Sequence, residues 1–429
     1  MSKPRASWGL GIHYPPPSSA AHSAVITEFQ QATLEGLINL KPIGTAIRRS
    51  HPRVRGVIGI EQIPYTITRS ELKQEISARY AVADGFPVHV IMERSTGKTM
   101  NCYIETANPG VAAEAVRASN SGEVVHSIRS RRVELTLSNQ GELMKAVFPN
   151  AKCVDWSSEG EPTVRQPRPD EVYSTGFTGF FADEELRCLS SYAEFPKCNN
   201  FTKRVLQRTF ESLLSAVSKY PWHRTELYTV RERNNIFETM RFMLELLIYK
   251  ISRPQQEIGL DMALVGDIID VGLRCPAFNP RMKYCLIEFG GRIHLDETWR
   301  RLSPEALAYF PFDTLTWVKK DPSGLQFYGG LIADGEIPPT DETAQVGLIN
   351  HWANGHNLLE PYGHQWYEWD VDKINSEWKY ENSIIYEEGL LHKLIKSGYN
   401  QVQISIDSAQ NSSARVRNFT GLDEEEEED

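Results

Sequence analysis

The sequence predicts an α+β chain: a β-α-β-β-α-β unit at residues 51–150, an all-α region at 173–295 and an aromatic-rich region at 296–421. Three observations predict it. Between Val54 and Leu137, short apolar runs rich in Val and Ile alternate with segments whose apolar residues recur at helical spacing. Between Thr202 and Leu273, three longer stretches carry an apolar stripe at period 3.6. Residues 151–172, rich in Ser, Glu, Pro and Arg, separate the two patterns and read as a linker.

Residues 1–50 form a leader expected to be partly disordered. It contains Tyr14-Pro-Pro-Pro-Ser-Ser, a loop or short polyproline segment, and a weak helical pattern from Ala24 to Ile38. The run from Arg55 to Ile63 is a strand ended by Pro64. Thr68 and Glu71 have capping-box spacing ahead of a helix through Leu72, Ile76 and Tyr80. Pro87 to Glu93 is a second strand. The turn Arg94-Ser-Thr-Gly97 leads to a third, Met100 to Glu105. Asn108-Pro-Gly opens a helix with Val111, Ala112, Ala115 and Val116, and Arg131 to Leu137 alternates as a fourth strand. A helix at 140–149, with Leu143, Met144, Val147 and Phe148, packs on the sheet edge or partly covers one sheet face.

This order of elements resembles an RNA recognition motif, which implies a ferredoxin-like fold and binding of single-stranded RNA on the two central strands. Ile58 to Ile63 occupies the place of the family's first signature and Thr99 to Thr106 that of the second. Gly59 and Asn101 stand where the family usually has aromatics, and Tyr103 retains one. The pattern is that of a quasi-type motif, in which loops make much of the RNA contact. The resemblance makes Tyr103 a base-stacking residue. Gln62 and Asn101 would contact bases or ribose, and Lys98 a phosphate.

From Tyr173 the chain turns helical. Helices are expected at 202–219, 231–251 and 260–273, the first ending at Tyr220-Pro-Trp222. Gln207 to Ser215, Lys219 to His223 and Tyr228 to Asn234 are similar to the helical region that follows the recognition motif in a group of fungal RNA-binding proteins. That similarity spans about residues 50–290 and implies RNA binding with no chemistry for the helical part. Residues 296–421 hold many aromatics and a helix capped near Asn382, either a small α+β module or an arm packed on the helical region.

The formal charge is −10, most of it in the acidic tail at 422–429, expected to be disordered. Two basic clusters flank the sheet unit, Arg48, Arg49, Arg53 and Arg55 before it and Arg129, Arg131 and Arg132 at its last strand. Both suit phosphate, and both also suit a solvated surface. No run of apolar residues is long enough to span a bilayer, and no secretory leader is seen. A nuclear or cytoplasmic protein with reduced cysteines is therefore expected. The six cysteines include no Cys-x-x-Cys pair. His351, His356 and His364, near Glu360 and Asp370, lack any usual zinc spacing, so no metal or other cofactor is expected. Asp267 and Asp270 read as a helix's solvent face, and no nucleophile elbow or phosphate loop is present.

The expected function is non-catalytic binding of single-stranded RNA in mRNA processing or regulation, with protein partners through the helical region and no membrane. The competing expectation is a protein-interaction scaffold whose degenerate motif binds a protein partner in place of RNA.

Overall fold

A computed structural model describes residues 33–47, 55–128, 131–169, 171, 175–253, 259–290, 307, 310–318, 322–334 and 378–420. A short helix α1 (Leu34–Leu40) and strand β1 (Ile43–Gly44) precede β2 (Gly56–Glu61), α2 (Arg69–Ser77), β3 (Val88–Glu93), β4 (Lys98–Thr106) and α3 (Pro109–Asn120). The two-residue strands β5 (Ser127–Ile128) and β6 (Arg131–Arg132) lead to β7 (Glu134–Ser138), α4 (Gln140–Val147), β8 (Val154–Trp156) and β9 (Pro162–Val164). Helices α5 (Asp183–Glu194), α6 (Gln207–Lys219), α7 (Val230–Ile251), α8 (Met262–Arg274) and α9 (Pro280–Gly290) follow. Strand β10 (Thr316–Trp317) and helices α10 (Pro322–Asp334) and α11 (Tyr380–Thr420) complete the described elements. The fold is mixed α+β. No described helix is long and apolar enough to cross a membrane.

The main sheet is antiparallel throughout, in the order β3-β4-β2-β7. Side chains alternate across a strand, so each strand feeds two faces. One face buries Ile58, Ile60, Val88, Val90, Cys102, Ile104 and Leu135 against Leu72 and Ile76 of α2 and Ala112 and Ala115 of α3. The opposite face carries the rows Thr136–Gly59–Tyr103–His89 and Ser138–Val57–Glu105, read from the strand register. Between Val90 and Met92 the pairing slips, setting Ile91 against both Met100 and Asn101. Asn101 thus lies in a bulge, a place where a strand bends and re-aims its side chains.

Thr68 and Glu71 form the capping box that starts α2. Thr229 and Glu232 do the same for the 22-residue α7. The Thr229 hydroxyl accepts from the Glu232 N–H, and Glu232 accepts from the Thr229 N–H at 2.7 Å. Thr229→Ala removes one half of that exchange. It should lower stability by about 1 kcal/mol in urea denaturation, with Thr229→Ser close to the parent.

A second, larger core joins α4 to the helices α5–α11. A chain of aromatic rings runs through it. Phe148 stacks on Trp156 at 6.0 Å, Phe180 meets Tyr220 edge-on at 5.5 Å, Tyr220 stacks on Trp222 at 4.2 Å, and Tyr228 lies 5.0 Å from Tyr380.

Several expectations change in detail. The helix expected at 24–38 is seen as Leu34–Leu40, because the Thr33 hydroxyl caps it by accepting from the Gly36 N–H; residues 24–32 lie outside the described residues. The end of the leader is structured: β1 pairs with β10, Ile43 opposite Trp317, and the Tyr328 hydroxyl donates to the Leu37 carbonyl. The linker holds a hairpin, β8 with β9, turned by Gly160 at φ +86° and followed by a two-pronged Arg165–Glu171 pair. The helix expected from Thr202 begins at Gln207 after a single 3-10 turn at Thr202–Arg204, broken by Val205, whose φ −144° and ψ 76° are not helical. Asp267, expected on a solvent face, keeps a side chain 41 % exposed and also pairs with Arg69 of α2. The acidic tail and the histidines at 351, 356 and 364 lie outside the described residues.

Candidate functional site

Glu105, on central strand β4, is the best-connected side chain on the sheet's second face. Its Oε1 accepts from Lys219 Nζ at 2.9 Å and Gln140 Nε2 at 2.8 Å. Its Oε2 accepts from Arg55 Nη1 at 3.2 Å and lies 3.4 Å from His89 Nε2. Lys219 also donates to Gln140 Oε1 at 2.7 Å. These partners come from the entry to β2, from β3, from the start of α4 and from the end of α6. Glu105 is 2 % exposed and His89 fully buried.

Burial alone would push the Glu105 carboxyl up, but Lys219 and His89 outweigh it and hold the group well below the usual carboxylate range. Burial lowers the pKa of His89 despite the nearby Glu105. A neutral His89 with an ionised Glu105 implies that Nε2–H donates to the carboxylate. All four lone-pair directions of the carboxylate are occupied from within the chain. The arrangement works as a lock joining the sheet to α4 and α6.

Two buried arginines extend the same junction. Arg94, at the end of β3, donates to Glu185 of α5 at 2.7 Å and to the Val147 carbonyl of α4 at 2.6 Å, with the Phe181 ring 4.4 Å from its guanidinium. Arg208, at the start of α6, donates to the Thr99 hydroxyl, to the Ile67 carbonyl and to Glu211.

The residues singled out from sequence are distributed differently. Tyr103 shares the second face with His89 but is half-buried, packed against the helical core, and its hydroxyl accepts from Asn101 Nδ2 at 3.3 Å. Burial raises its phenol pKa, Asn101 opposes this, and Glu142 and Glu61 raise it further. Gln62 is exposed just past β2, in the left-handed region at φ +59°. Lys98 is exposed at the start of β4. Arg55 lies at the opposite end of β2 from Gln62 and is engaged by Glu105. Arg132 is exposed in β6, and Arg131 pairs there with Ile128 through the backbone. Arg48, Arg49, Arg53 and Arg129 lie outside the described residues.

Sequence reasoning passed over Glu105, His89, Gln140 and Lys219. One signal was present: His89 interrupts the apolar run of β3, and Glu105 follows Tyr103 and Ile104 in β4, each at a position that the alternation places on the second face. Beside the lock, a cavity of about 550 Å³ is lined by Arg55, Val57, Pro109, Leu137, Gln140 and Glu161 among others. Glu159 and Glu161 are the carboxylates of its lining.

Residues 54–158 match a family described as Domain of unknown function (DUF8400), and residues 177–292 match Domain of unknown function (DUF8399). No curated protein and no solved structure matches the chain.

Proposed function

We propose that this chain is a non-catalytic interaction protein, built on a ferredoxin-like module whose second sheet face is given over to protein contact. The strand order β3-β4-β2-β7, with α2 and α3 on one face, supports the ferredoxin-like assignment. The observation that carries the functional reading is the Glu105 lock. The face that would serve RNA in a recognition motif holds a buried carboxylate tied to Lys219 and Gln140 of the chain's own helices. Glu142 and Glu61 raise the Tyr103 phenol pKa, and negative charge of that sign disfavours a phosphate at the ring. The helices that close this face present the remaining protein-contact surface. The free cysteines, with Cys102, Cys153 and Cys275 buried, suit a reducing nuclear or cytoplasmic setting.

RNA bound across the sheet is the second reading, favoured by Tyr103 and Asn101, which remain partly exposed on the central strand. Fluorescence anisotropy of the full chain with labelled single-stranded RNA separates the two. Tyr103→Ala should leave affinity within about twofold of the parent. A base stacked on Tyr103 would instead cost roughly tenfold, and a loss of that size would overturn the protein-contact reading of this face.

A further inference from the structure

Away from the lock, the turn between β3 and β4 is clamped to the last turn of α5 and to the segment joining α5 to α6. Asn199 Nδ2 donates to the Thr96 carbonyl at 2.8 Å, and the Tyr192 hydroxyl donates to the Ser95 carbonyl at 2.6 Å. Gly97, at φ +73°, rests against Thr202 so closely that a Cβ there would lie 2.7 Å from its methyl group. The backbone at this corner is therefore held from both sides.

The side chains that project from it form an unusual mixture. Phe195 is 56 % exposed and Phe201 37 % exposed. Phe201 lies 5.9 Å from Tyr65, the rings tilted by 39°, and the Tyr65 hydroxyl accepts from the Thr99 N–H. Lys98, Lys197, Lys203 and Arg204 are all exposed. None of the four makes an ion pair among the described residues, whereas Arg117, Arg165, Arg224, Arg241 and Arg274 each sit on a carboxylate. Lys203 donates to the Asn200 side chain. Residues 195–206 contain three cations and no carboxylate. Nearby, Glu194 is exposed and Glu93 is engaged by the Thr96 hydroxyl.

Exposed rings cost free energy in water, and unpaired cations repel one another. A ligand that relieves both carries flat apolar faces and a regular line of negative charge. We infer that residues 195–204, with Tyr65 and Lys98, form a binding site for single-stranded nucleic acid. Bases stack on Phe201 and Phe195, and phosphates pair with Lys98, Lys203 and Arg204. A duplex keeps its base faces hidden and offers the rings nothing. The site lies at the sheet's corner, apart from Tyr103, and does not rest on the interaction-protein reading.

The test is anisotropy of the full chain with labelled oligouridylate, against a duplex of equal length and polyglutamate. The parent should bind the single strand, with log K falling against log salt at a slope of about −2, as expected for three phosphates on a single strand. Phe201→Ala should weaken binding roughly tenfold at fixed salt. Lys203→Ala/Arg204→Ala should flatten the slope by about 1.4. Phe195→Ala provides a second reading should the Phe201 variant lose its helical circular dichroism. The inference is overturned if the parent does not bind oligouridylate at low salt, if the ring and cation variants bind like the parent, or if polyglutamate competes as well as the oligonucleotide.

Discussion

Replacing Glu105 with alanine will destabilise the chain by about 3–5 kcal/mol, the usual range for breaking a buried ion pair from one side. Lys219 and Arg55 would remain close together with side chains only 15 % and 22 % exposed and no anion between them. Gln140 would also lose its acceptor. Urea denaturation followed by circular dichroism measures the loss. Glu105→Leu combined with Lys219→Met removes both charges and should recover a large part of it, since apolar groups of similar volume often replace a buried pair at little cost. A loss below about 1 kcal/mol for the single variant would mean that the cluster is solvated and contributes no more than a surface pair.

The lock also sets a direction of pH dependence. The folded pKa of Glu105 is depressed, so its contribution is present above the unfolded carboxylate value and is lost as pH falls through the folded one. His89 is likewise depressed, from 6.5, and acts in the same direction: its contribution is full above that value and declines as pH falls through the folded value. The parent should therefore weaken in two stages on acidification. Glu105→Ala should remove the lower stage and leave a dependence that begins below about pH 6.5.

Arg208→Met should cost a comparable amount, about 3–5 kcal/mol at neutral pH, with the opposite pH trend. Arg208 is 1 % exposed and ties α6 to the Ile67 carbonyl and to the Thr99 hydroxyl of β4. Its carboxylate partner, Glu211, is buried, and that burial raises its pKa even with Arg208 beside it. Without Arg208 the rise grows. A carboxyl with a raised folded pKa contributes stability below its unfolded value and loses it as pH rises through the folded one. The deficit of Arg208→Met should therefore shrink between neutral pH and about pH 5, and Arg208→Met/Glu211→Gln should be less sensitive to pH over that interval. Denaturation midpoints for the two variants across that range decide it, and parallel profiles would exclude Glu211 as the source.

These residues show where sequence reading stops. The order of elements around the main sheet was legible because each is specified locally. Short runs rich in Val and Ile marked the strands that hold Ile58, Ile60, Val88, Val90 and Cys102, and the Thr68–Glu71 box marked the start of α2. Helical spacing placed α7 and α8 to within about two residues. The Glu105 lock was not legible. Lys219 lies 114 residues from Glu105 in the chain, and no periodicity in one segment reports a charge arriving from another. Equally, nothing local announced that β1 would pair with β10 across the chain, or that the segment expected as a linker would form a hairpin. The sequence by itself determined the strands and helices of the main sheet unit and the long helices α7 and α8, through turn chemistry and the spacing of apolar side chains. Only the tertiary structure decided that α4 and α6 cover the sheet's second face. That choice depends on the burial of Phe148, Tyr220 and Val57 in a shared core, and on the requirement that a carboxylate removed from water find all its donors inside the protein.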